Sequence, residues 1–161
     1  MSGVRMWTWV VTGACAVGAV VPGAAVADPA PVPAPEADLA FHGVAAMSGD
    51  RVEVRLTPRN KGPAAVTGAT VRLRWSVALA ETQQLPARCV REDERTVVCA
   101  TGALAVNGAG EPLDVLVRLH ERPSEVTLET DTAWGGGTVD KYRSNDRLKV
   151  LVLNTGDVYA F

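Results

Sequence analysis

The chain has 161 residues, 47% hydrophobic, 5% aromatic and 21% charged, with a formal net charge of −2. That length excludes two ordinary domains, which take roughly 100–200 residues each. The balanced charge excludes a disordered acidic tail or a basic nucleic-acid binder, and so few aromatics argue against a stacking platform for bases or sugars.

The first segment reads as an export signal. Arg5 supplies a short basic start, residues 6–21 carry no charge, and Ala25-Val26-Ala27 is the small-x-small pattern that signal peptidase cuts. Cleavage is expected between Ala27 and Asp28, making residues 1–27 a signal peptide. A membrane anchor would need about 17–25 apolar residues, and Gly13 and Gly18 interrupt this run. Cys15 lacks the aliphatic residue three positions earlier that a lipid-attachment site carries. The mature protein is thus expected to be secreted or cell-wall associated, with no membrane span. Its cysteines are then Cys89 and Cys99, and a secreted pair most often forms a disulfide. Thirteen arginines against three lysines fit the codon bias of a high-GC, actinobacterial genome.

Residues 28–36, with proline at every second position from Pro29 to Pro35, read as an extended polyproline spacer. A domain is expected over 37–153 and a tail over 154–161. Within the domain the apolar period is two. Val52, Val54 and Leu56 alternate with Arg51, Glu53 and Arg55, and Val71, Leu73, Trp75 and Val77 alternate with Arg72, Arg74 and Ser76. Leu113, Val115, Val117 and Leu119 alternate with Asp114, Arg118 and His120, with Leu116 the exception. Such alternation means strands with one buried and one wet face. Strands are expected near 38–44, 51–59, 69–78, 87–91, 95–99, 113–120, 124–133 and 147–153, with Gly, Asn and Pro turns between them. No window offers a capped amphipathic helix. The expected fold is all-β, an antiparallel sandwich of about seven to eight strands. Cys89 and Cys99 flank the charged block Arg91–Arg95, so a disulfide there would staple a hairpin.

The order of landmarks resembles a known family. Ala37-Asp38-Leu39-Ala40 opens the domain, and Asn60-Lys61-Gly62-Pro63 and Leu85-Pro86 follow. Cys89, Cys99-Ala100-Thr101-Gly102-Ala103-Leu104, a Gly-rich turn at 108–110, and Asp140 to Asn145-Asp146 complete the series. Over 37–153 this is similar to the bacterial surface repeat called domain of unknown function eleven. It is more loosely similar to the bacterial cell-adhesion-related sandwich domain, and looks closest to single-copy secreted actinobacterial versions. The resemblance implies an immunoglobulin-like fold and no catalytic residues. The family usually has paired Asn before the last strand, where this chain has Asn145-Asp146. One copy without a sorting motif suits a free or loosely wall-associated protein better than a stalk.

Chemistry is sparse. His42 and His120 fall on different strands without ligand spacing, so no metal site is expected. Ser48, Ser76, Ser124 and Ser144 lie in no nucleophile motif, and no phosphate loop is present. Glu125, Glu129 and Asp131 line a presumed wet face. Asp140, Asn145 and Asp146 could offer oxygens to calcium, although turn capping is the plainer role. Trp75 should be core. Trp134 either plugs one end of the sandwich, as the usual burial of Trp favours, or is an exposed contact residue. Tyr159 and Phe161 could share one side of an added strand, packed on their own sheet or on a partner's.

The expectation is therefore a non-catalytic binding, adhesion or scaffold module without cofactor. Its partner would be an unknown protein or a cell-wall component, with Trp134, Tyr159 and Phe161 as candidate contacts. The alternatives are a secreted hydrolase or carbohydrate-active protein, or an inhibitor presenting the disulfide hairpin.

Overall fold

A strand that is apolar on one face is stable only when that face is covered, and here two sheets cover each other. The computed structural model describes residues 32–161; the expected signal peptide and the first part of the spacer lie outside them. The strands are β1 (Glu36–Ala37), β2 (Leu39–Ser48), β3 (Arg51–Asn60), β4 (Thr70–Trp75), β5 (Cys89–Arg91), β6 (Thr96–Ala100), β7 (Leu113–Arg118), β8 (Glu125–Trp134), β9 (Val139–Asp140), β10 (Leu148–Leu153) and β11 (Val158–Ala160). No helix occurs among the described residues. One antiparallel sheet has the order β10-β8-β4-β6-β5, the other β11-β2-β3-β7, and a short parallel pair joins β1 to β9. This is the all-β antiparallel sandwich expected from the alternation. The eight expected strands correspond to β2–β8 and β10; β1, β9 and β11 are additional.

The core lies between the sheets. Val52, Val54 and Leu56 of β3 share it with Val71, Leu73 and Trp75 of β4, Val115 and Val117 of β7, and Leu128 of β8, all buried. Each such side chain contributes about 1.5–3 kcal/mol by leaving water. Leu116, the residue out of phase, faces outward. A smaller apolar cluster of Ala37, Leu39, Val66, Ala69 and Leu104 fills the end where β1 leads in, here called the entry end. The opposite, far end carries the turn after β2, the hairpin tip and the segment between β10 and β11.

The segment 154–161 belongs to the sandwich. Tyr159 pairs with Ala45, and the backbones of Phe161 and Gly43 exchange two hydrogen bonds of 2.9 Å. Both aromatic rings pack against the main core. Gly43 is what admits the ring: a Cβ there would lie 2.7 Å from the Phe161 ring and 2.5 Å from the Arg55 carbonyl oxygen. The tail thus becomes the edge strand of its own sheet.

Candidate functional site

Cys89 and Cys99 are directly opposite each other on β5 and β6 and form the disulfide. The adjoining charged block is not merely solvated. Arg91 turns back and donates to the carbonyls of Asp93, Ala80, Glu81, Leu79 and Glu94, at 2.8–3.4 Å. One guanidinium therefore ties the hairpin tip to the loop after β4. The backbone N–H of Arg95 donates to Asp93 and holds that carboxyl below its usual range.

At the entry end, the Asn60-Lys61-Gly62-Pro63 motif acquires a physical meaning. Asn60 is 1% exposed. Its Oδ1 accepts from the Asp38 and Gly62 N–H groups, and its Nδ2 donates to the Ala64 and Ala105 carbonyls. Gly62 has no room for a Cβ, which would sit 2.5 Å from the Asp38 nitrogen. Asparagine serves here because one amide supplies both donors and acceptors.

The residues considered for calcium divide. Asp140 accepts from the N–H groups of Leu39 and Tyr142, and Asn145 donates to Asp38 at 2.7 Å. These are capping bonds that bind the last turn to the first strands. Asp146 is different. It is fully buried, and Arg143 Nε lies 3.0 Å away but off the hydrogen-bond direction. Burial pushes its carboxyl above the usual range, while neighbouring Thr132 and Arg143 offset part of the rise. No group of three His, Cys, Asp or Glu placed to hold a metal occurs among the described residues.

Trp134 does not plug the end; it is 57% exposed. The reason is a bulge. Val71 pairs with Thr132 but Thr70 pairs with Trp134, so Ala133 is the extra residue and the side-chain phase reverses. Thr132 points inward, Trp134 outward, and the small apolar cluster closes the end instead. Tyr159 and Phe161 lie on their own sheet, leaving Val158 as the exposed large apolar residue of β11. His42 and His120 are exposed on separate segments, as are the four serines. Ser76 Oγ accepts from the Thr127 N–H at 3.0 Å.

The most organised surface is the outer face of the five-stranded sheet. Glu129 on β8 lies opposite Lys149 on β10 and Arg74 on β4; one step along, Asp131 lies opposite Arg72. Lys149 pairs with Glu129 at 3.1 Å, and Arg72 pairs with Asp131 at 3.2 Å and with Glu92 at 3.1 Å. Arg74 and Arg147, both exposed, make no ion pair among the described residues. An open depression of about 340 Å³ lies among these groups, and one of about 300 Å³ continues it toward Arg95. The alternation showed Glu129 and Asp131 on a wet face. That β4 and β10 would flank β8 with arginines and a lysine depends on strand order, which alternation does not contain. On the outer face of the other sheet one depression is lined by Val44, Ala46, Leu116 and Val158 with Arg55, Glu53 and Asp114, and another by Arg51 and Arg118 with Gln83 and Gln84.

Fold and surface define an antiparallel β-sandwich with one cross-strand disulfide. In comparisons with known proteins, no family model, curated protein or solved structure matches the chain. Among the described residues, no helix is long and apolar enough to cross a membrane.

Proposed function

We propose that this chain is a non-catalytic, secreted or envelope-associated binding module of the kind suggested by its resemblance to bacterial surface sandwich repeats. Its partner is a protein or cell-wall component, and it works without a cofactor. The observation that carries this reading is how the polar side chains are spent. Asn60, Asn154, Asp140 and Arg91 all hydrogen-bond to backbone of neighbouring loops, so both ends of the sandwich are rigid and the sheet faces are the surface on offer. Exposed Trp134, beside the entry end, is the contact candidate that remains open to a partner. The disulfide fits an oxidising compartment.

Fractionation of a host expressing the full chain tests this. The protein is expected in medium and wall fractions, shortened at Ala27, and washed envelopes should sediment it saturably. Full-length protein confined to the cytosol, or envelopes that do not retain it, would overturn the reading.

A further inference from the structure

The geometry points to the outer face of the five-stranded sheet as a binding site for an extended, phosphate-bearing polyanion. This rests on the binding-module reading and supplies its ligand chemistry. The two linked depressions are lined by five cations, Arg72, Arg74, Arg95, Arg147 and Lys149, and by the acids Glu129 and Asp131, with Glu92 and Glu94 paired to Arg72 and Arg95 beside them. The chain as a whole is negative, at −2, so a face that keeps guanidinium groups free of ion pairs is a local feature. Both acids are already neutralised, Glu129 by Lys149 and Asp131 by Arg72, which leaves the guanidinium groups of Arg74 and Arg147 unpaired. Arg95 is shared with Glu94 at 3.4 Å, and Asp93 lies within the field of Arg74.

The spacing selects the ligand. Strands β10 and β4 flank β8, so their outward cations stand about 10 Å apart across the sheet, and alternate residues along a strand stand about 7 Å apart. A single phosphate is too small to span that grid, whereas a chain of repeated charges meets several corners at once. Guanidinium forks favour phosphate, whose oxygens on all sides accept from two arginines together; a carboxylate presents one planar edge. The opposite sheet offers a control, since Arg51 and Arg59 are also exposed but stand near the two ends of β3, and the Arg118 that faces Arg51 is itself paired with Asp50.

The test measures binding of labelled long-chain inorganic polyphosphate to protein purified from a host expressing the full chain, at about 20 and about 150 mM salt. Binding is expected, weakening as salt rises. The double substitution Arg74→Glu with Arg147→Glu should weaken it at least about tenfold, and Arg51→Glu with Arg59→Glu less than about twofold. Unchanged thermal unfolding checks that these exposed variants fold, and the milder Arg147→Gln should give an intermediate loss. Equal losses from both double variants, or no binding at low salt, would overturn the site. Equally tight binding of polyglutamate would overturn the phosphate preference. Envelope sedimentation separates the two claims. If the Arg74/Arg147 variant sediments like the unaltered protein, the site fails and the module reading stands. If the unaltered protein does not sediment, the module reading fails whatever polyphosphate does.

Discussion

Each end of the sandwich is tied by one asparagine, and the two ends differ in their access to water. At the entry end, buried Asn60 makes four side-chain hydrogen bonds to backbone, at 2.7–3.3 Å. At the far end, half-buried Asn154 makes three, accepting from Gly49 N–H at 2.7 Å and donating to the carbonyls of Gly49 and Pro123. Chemically the knots are alike. A lost bond at Asn154 can be replaced by solvent, while one at Asn60 leaves a buried backbone group with no partner. The entry end also holds the buried Asp146, so strength and electrostatic tension are concentrated there.

The contrast breaks if the two asparagines prove equivalent. Asn60→Ala is expected to cost the most, about 4 kcal/mol, because several buried groups are orphaned at once; urea unfolding measures it, and a loss below about 1 kcal/mol would mean the entry loops are held by packing alone. Replacing Cys89 and Cys99 together by alanine should cost about 3 kcal/mol, the closure entropy of a short loop, with the fold retained. Free thiols at both positions in the purified protein, found by mass spectrometry, would remove that prediction. Asn154→Ala should cost only about 1–2 kcal/mol, since water replaces the amide.

The smallest effect has the opposite sign. Asp146 has its folded-state carboxyl raised by burial, in the presence of Asp140, Arg143 and Arg147. The folded state therefore holds its proton more tightly than the unfolded chain. The resulting penalty is absent below the ordinary aspartate pKa of about 3.9, grows as pH climbs from there to the raised value, and is complete above it. Asp146→Asn should stabilise the protein at neutral pH by on the order of 1 kcal/mol, an advantage that disappears as pH falls toward about 4. Asp50 and Asp93 act in reverse. Arg118 hydrogen-bonds Asp50, the Arg95 N–H bonds Asp93, and both carboxyls are lowered, so their contribution is present at neutral pH and lost on acidification. A melting profile of the Asp146→Asn variant parallel to that of the unaltered protein between about pH 4 and 7 would show Asp146 to be no strain point.

The strands were legible because burying one sheet face imposes a period of two, which is clear in β3, β4, β7 and most of β8, while turn residues bounded the others. The disulfide was legible because a cysteine pair flanking a charged hairpin tip, read together with the expected export signal, has few other fates. Trp134 was not, since the bulge that reverses its direction leaves no mark on the alternation around Thr132 and Ala133. Arg91 looked like one charge among five; its role depends on carbonyls of residues 79–81 brought in by the chain's return. Asn60 and Gly62 stood out as a motif, but the reason for the motif is the closeness of Asp38, far away in sequence.

Local chemistry, written residue by residue, suffices for strands, turns, the cysteine pair and the faces to be buried, because each depends on neighbours a few positions away. The cation grid over β4, β8 and β10, the seat of Phe161 over Gly43 and the burial of Asp146 belong to another order of information. Each arises where strands distant in the chain become adjacent, and adjacency is set by the packing of two sheets over one core.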